Sequence, residues 1–290
     1  MIPIKVGKEE FINFIFRLDI FMIKKLVLNI LLLGAMVGFM SATGRANSES
    51  LDECTLFWEK VSYEDLLNAP VRYLDAWRKL ERQCDKGDGY FERQLGYIHL
   101  AERNFLDSER AFINSANKNN IYLNDLAQLY LTQSQYSEDR KVQVELISKA
   151  QNILLGMVKD NNVNHAIFFS LGFTFFLQEN FSDAIVYFNQ SLNMQTTSKA
   201  YSLLGQAYFN ERNYEGAVGS ILKAFDLDKR VSEDENSMLV LAMSHVALKD
   251  FENAKITLSL LSKTRPDLVN TDVYQSVFNA IVSGFIKPES

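Results

Sequence analysis

Part of this chain repeats itself every 33 residues, and that period constrains the fold more than any other feature. The segment LGFTFFLQENFSDAIVYFNQSL, from Leu171, aligns with LGQAYFNERNYEGAVGSILKAF, from Leu204, so that Gly172 falls on Gly205, Phe181 on Tyr214 and Ala184 on Ala217. A third copy, LAMSHVALKDFENAKITLSLLSKTRP from Leu241, lines up Ala242, Phe251, Ala254, Leu261 and Pro266. An upstream copy, LGYIHLAERNFLDSERAFINSA, sets Leu95, Gly96, Phe105, Ser108, Phe112 and Ser115 in the same register. In each copy apolar residues recur at spacings of three and four on both sides of a short polar turn (QEN, ERN, LKD or AERN), as two amphipathic helices require. Small residues stand where the helices must approach closely, Gly172 and Gly205 in the first, Ala184 and Ala217 in the second. One such hairpin cannot bury its apolar stripe alone, so neighbours must stack into a solenoid with a continuous core.

The order of residues within a copy is specific: Leu-Gly, an aromatic three positions on, a turn, aromatic-x-x-Ala, then an aromatic and a small residue. Residues 165–198 carry it as Phe168, Leu171, Gly172, Phe175, Ala184, Phe188 and Ser191; residues 198–231 carry it as Tyr201, Leu204, Gly205, Tyr208, Ala217, Ile221 and Ala224. This pattern resembles the tetratricopeptide repeat (TPR). The resemblance implies an all-α fold, a TPR-like right-handed helical solenoid of antiparallel helix pairs. Clear copies cover 165–198, 198–231 and 235–268. Weaker ones cover 89–122, where Glu92 and His99 fall at positions usually apolar, and 123–160, where the loop or second helix is lengthened. Residues 47–88 add N-terminal helices without a repeat match, and 269–290 read as a capping helix and tail. SEDE at 232–235 reads as a solvated linker and helix start, with Ser232 as the N-cap.

The N-terminus reads as an export signal. Lys24 and Lys25 precede an apolar run, Leu26 to Met40, and small residues follow, the layout of a secretory signal peptide spanning 22–46 with cleavage after Ala46. The run is shorter than the roughly 20 residues a membrane-spanning helix needs; a retained inner-membrane anchor is the alternative. Residues 1–21 carry Glu9, Glu10 and Asp19 where a signal wants positive charge, and read as an upstream extension. The first cysteine, in LDEC, does not fit a lipoprotein site. A periplasmic or exported location is therefore expected. There, Cys54 and Cys84, the only cysteines, would join as a disulfide stapling the N-terminal helices, worth roughly 3–4 kcal/mol by loop-closure entropy; two buried thiols are the other reading.

The formal charge of −6 leaves no basic surplus for phosphate contacts, so nucleic acid is not an expected partner. His99, His165 and His245 have no metal spacing, and no nucleophile or phosphate-loop motif occurs. No catalytic residue, metal or cofactor is expected. His99 and His245 share one repeat position, which fits helix packing with a hydrogen bond. What the family resemblance implies is a concave face lined by each first helix. On it would lie Tyr90, Arg93, Gln94 and Tyr97, then Phe169, Phe173 and Phe176, then Lys199, Gln206, Phe209 and Asn210, then Met243. Such a lining suits a protein or peptide partner, an amphipathic helix or an extended apolar segment; Arg93, Lys199 and Asn210 are too few for the family's carboxylate clamp. Whether Phe169, Phe173 and Phe176 meet a partner or fill the molecule's own interior stays open at this level. The function expected is an exported scaffold or adaptor for protein–protein interaction in the bacterial cell envelope. The alternatives are an inner-membrane-anchored protein recruiting soluble partners and, remotely, the solenoid part of a peptidoglycan-acting enzyme.

Overall fold

The computed structural model describes Cys54, residues 70–80, Cys84, Asp85 and residues 87–286. The upstream extension, the signal segment, most of 47–88 and the tail beyond Ile286 lie outside the described residues. These residues divide into two compact units, one ending at Val163 and one beginning at Asn164, and among them there is no strand. The first unit holds α1 (Pro70–Lys79), α2 (Tyr90–Ala101), α3 (Phe105–Lys118), α4 (Leu123–Tyr136) and α5 (Arg140–Lys159). The second holds α6 (His165–Leu177), α7 (Phe181–Met194), α8 (Ser198–Asn210), α9 (Tyr214–Leu227), α10 (Glu235–Ala247), α11 (Phe251–Thr264) and α12 (Asp272–Ile286). Residues 123–160, read as a degenerate copy, form a hairpin whose second helix, α5, is 20 residues long.

One packing rule recurs in each regular hairpin. A Cβ on Gly172 would lie 2.6 Å from the Phe188 ring, one on Gly205 2.5 Å from Ile221, and one on Gly96 2.6 Å from the Phe112 ring. In each case the large residue comes sixteen positions after the glycine, so the missing side chain lets the second helix drop its bulkiest residue onto the first. The small residue twelve positions after the glycine completes the contact: Ser108, Ala184 and Ala217 are fully buried. In the fourth hairpin Ala242 replaces glycine, and Leu258 replaces the larger partner. The weaker upstream copy thus keeps the common register despite Glu92 and His99.

The turns repeat as closely. Arg103, Glu179, Arg212 and Lys249 all take left-handed φ, between 58° and 63°. After each, Asn104, Asn180, Asn213 or Asp250 sends its amide back to a carbonyl five residues earlier, closing off the first helix. The same side chains then cap the second helix by accepting from the amide three residues on.

In the first unit Cys54 and Cys84 form a disulfide with Cα atoms 5.7 Å apart. It packs with Leu74, Trp77, Phe91 and Ile98 in one apolar cluster; Trp77 stacks on Phe91 at 5.2 Å and donates Nε1–H to its carbonyl at 3.1 Å. In the second unit a continuous core runs from Phe209 through α10 and α11 to Tyr274, Val277 and Ile281 of α12. The phenylalanine-rich α6 keeps its hydroxyls satisfied within the helix: Ser170 donates to the Ala166 carbonyl and Thr174 to that of Ser170, both at 2.7 Å.

One helix start departs from expectation. Ser232 is not the N-cap; it lies in a 3-10 turn, Lys229–Glu233, and donates to the Lys229 carbonyl. The cap is Asp234, which accepts from the Ser237 amide at 3.1 Å. Glu235 is no part of a solvated linker, because it is only 7% exposed.

Candidate functional site

The residues expected on the first-helix faces occupy two separate units, and each set is described within its own. In the first unit, Arg93 is engaged inside the protein. Its guanidinium forks onto Asp125 of α4 and lies over the rings of Tyr97 and Tyr122, 5.3 and 5.2 Å from their centroids. Burial works against the Arg93 charge, but Tyr97 and Asp125 beside it outweigh burial and hold its pKa above the usual range. Tyr97 is buried and donates its hydroxyl to Asp125; burial, then the Asp125 charge, pushes its pKa up. Gln94 is buried, and its Nε2 has no hydrogen-bond partner among the described residues. Tyr90, half-buried, meets Trp77 edge-on at 6.3 Å. The group is an internal polar clamp between α2 and α4. No sequence signal pointed to it, because Asp125 is 32 positions from Arg93.

In the second unit Phe173 is fully buried, and Phe176, Gln206, Phe209 and Met243 are all under 9% exposed. The aromatic lining is therefore not an open surface. Phe176 packs edge-on against Phe181 at 5.4 Å, and Phe209 against Tyr214 at 5.7 Å. Each is spent within its own hairpin, on the first residue of the second helix. Met243 belongs to the core of α8 to α12. Phe169, Lys199 and Asn210 are half-buried. The Lys199 ammonium stands over the Phe169 ring at 5.2 Å, and burial lowers its pKa to about 7. Asn210 donates to the Gln206 carbonyl at 2.8 Å.

Two further features lay beyond the sequence reading. Gln206 reaches the next hairpin, with Nε2 3.5 Å from the Ser237 Oγ, while its Oε1 is buried without a partner. Asp234 and Glu235 also hold buried oxygens without partners. Their carboxyl pKa values are pushed up, burial being the largest cause for both. His99 and His245 are both buried in the packing; Nδ1 of His99 makes a hydrogen bond with Glu102 at 3.0 Å, whereas Nδ1 of His245 lies 3.3 Å from Asp250 without hydrogen-bond geometry.

With this geometry in hand, comparison with known proteins bears on the repeat itself. Residues 198–230, α8 with its partner α9, match the family model for the tetratricopeptide repeat. That segment is one TPR. Among solved structures it is similar in fold to a thermophilic TPR protein of Thermus thermophilus, at 15% identity over 63% of this chain and 98% of that one, TM-score 0.50. It is also similar to BtubC from P. vanneervenii, at 15% identity over 73% and 94%, TM-score 0.51. Yeast Tom70 matches at 11% identity over 96% of this chain and 58% of its own, TM-score 0.50. The search of curated proteins gives no match. At these identities the likeness speaks to the fold, an all-α TPR solenoid. Among the described residues no helix is long and apolar enough to cross a membrane, and no three His, Cys, Asp or Glu side chains stand together as a metal site.

Proposed function

We propose that this TPR chain is a non-covalent scaffold that binds other proteins and works in the bacterial cell envelope after export. The observation that carries the binding part is the TPR at 198–230 set among hairpins of the same register, a repeat whose first-helix faces present residues side by side for a partner segment. The partial exposure of Phe169, Lys199 and Asn210 supports the reading that a segment meets this face in the second unit. The Cys54–Cys84 disulfide and the Lys24-Lys25 signal layout ahead of Leu26–Met40 support the exported location, since disulfides persist in oxidising compartments.

A photo-crosslinking residue at Phe169 or Lys199, compared with one at the exposed Val186 of α7, tests the binding reading in cells. The expected result is a discrete protein adduct from the first two positions and none from Val186. Equal labelling from all three positions rejects the assignment of the face. N-terminal sequencing of the mature protein tests export: a start at Asn47 supports it, and an intact N-terminus supports the membrane-anchored alternative.

A further inference from the structure

Among the described residues α12 is packed as the first helix of a hairpin, and no second helix follows it. Its Tyr274, Val277 and Ile281 are buried where α8 buries Ala200, Leu203 and Ala207, and where α10 buries Ser237, Val240 and Ser244. In that register Phe278 takes the place of Leu204 and Leu241, Asn279 that of Gly205 and Ala242, and Val282 that of Tyr208 and His245. The second helix covers this face in the regular hairpins: Leu204 and Leu241 are buried, and Gly205 lies under Ile221. On α12 the same face is open. Phe278 is 46% and Val282 38% exposed, and Gln275 and Asn279 beside them are exposed too.

Three features of this face say what fits it. It has no charge: no Asp, Glu, Lys or Arg occurs from Val273 to Ile286, so two copies of a chain of net charge −6 meet here without like charges in contact. The covering helix of a hairpin runs antiparallel to the first, and a twofold axis across α12 sets a second α12 in that same sense. Asn279 also stands at the glycine position. A second helix of the ordinary kind drops its bulky residue onto a bare glycine, and the Asn279 side chain fills that space. An amide both donates and accepts, so Asn279 is matched instead to its own equivalent in another copy, each giving and taking one hydrogen bond.

We propose that α12 is a homodimer contact, on which a second copy of this chain lays its own α12 antiparallel across Phe278 and Val282. With the axis near Ala280, Phe278 of each copy meets Val282 of the other, and the two Asn279 side chains come together. The second copy thus stands where a second helix stands in the other hairpins, and it closes the open end of the stack. The contact is independent of the partner-binding face proposed above. The 15 residues of α12 span about 22 Å, and one helix pair buries less than the roughly 800 Å² per partner of a standard interface. Association is therefore weak, with a dissociation constant on the order of tens of micromolar.

The test is sedimentation equilibrium of the purified full chain from about 1 to 200 μM, a range that brackets the expected constant. A reversible monomer–dimer equilibrium is expected. Phe278→Glu should weaken it about tenfold or more, since a carboxylate would be buried against Val282 of the second copy. Helix content by circular dichroism should not change, because the side chain is exposed in a single copy. Mixing Phe278→Glu chains with Val282→Lys chains, each of which associates poorly alone, should restore association, because the antiparallel register sets Glu against Lys. A monomer at every concentration, a dimer untouched by Phe278→Glu, or no recovery in the mixture would overturn the proposal. A second measurement stays close to the natural side chain: p-benzoylphenylalanine in place of Phe278, irradiated in an equal mixture of unlabelled and isotope-labelled chains. Adducts that join a light α12 peptide to a heavy one are expected. The proposal fails if adducts form only within single copies, which would assign the face to another segment of the same chain. It fails equally if they form on a helix other than α12, or not at all.

Discussion

Gly172 and Gly205 have room for a hydrogen and nothing larger. Adding a methyl at Gly172 drives it into the Phe188 ring, so Gly172→Ala is expected to cost about 1–3 kcal/mol through overpacking, read from a urea-unfolding midpoint. The fourth hairpin supplies the remedy, since Ala242 and Leu258 stand in the same register. Adding Phe188→Leu to Gly172→Ala should recover part of that loss, a favourable coupling in a double-mutant cycle; strictly additive losses would show that the two positions do not compete for one space. Glu235 gives a prediction of opposite character. Its folded pKa is raised by burial, so the native state holds its proton to higher pH than the unfolded chain. Its contribution therefore improves as pH falls from neutral through the raised folded pKa, and worsens as pH rises. Glu235→Gln should melt at a higher temperature than the parent at pH 7, with the gap closing as pH falls into the ordinary carboxylate range. A lower melting temperature at pH 7 would mean that the charged form is compensated in the protein alone. The burial of Glu235 was not legible beforehand. SEDE reads as a polar linker by composition, and only folding brings Arg265 and Asp267, far along the chain, beside Glu235.

At the scale of the hairpin, the turn combines a cost with a benefit. Each regular turn places a side-chain-bearing residue in the left-handed region, although that conformation costs such a residue roughly 1–2 kcal/mol and glycine almost nothing. Lys249→Gly should therefore raise stability by about 0.5–1 kcal/mol, after the extra entropy of glycine in the unfolded chain is deducted; a loss would reveal an interaction of the lysine side chain that outweighs the strain. The cap beyond the turn works in the other direction. Asn213 accepts from the Gly216 amide at 2.9 Å, and Asn213→Ala should cost about 1 kcal/mol, measured by the same unfolding curve. Turn and cap positions were readable from the QEN, ERN, LKD and AERN signals, because capping is chemistry among residues close in the chain. The start of α10 misled, because Ser232 and Asp234 are both good caps and the five-residue 3-10 turn before the helix decides between them.

At the scale of the molecule, the disulfide closes a separation of 30 residues, which by loop entropy is worth about 3–4 kcal/mol. Replacing both Cys54 and Cys84 by serine should speed hydrogen exchange in α1 and α2, which pack with it, far more than in α8 and α9, since repeats are coupled mainly to their neighbours. Uniform acceleration along the chain would contradict that locality. The helices, their pairing and the stacking of hairpins were determined by the sequence alone, because periodicity, caps and the glycine-to-bulky spacing act within one hairpin or between adjacent ones. The fate of the side chains on the predicted concave face was decided by tertiary structure. Arg93 is taken up by Asp125, Phe176 and Phe209 turn onto their own hairpins, and Gln206 reaches Ser237 across a hairpin boundary. Periodicity specifies which way a helix residue points; whether something already stands there depends on groups brought together only by folding.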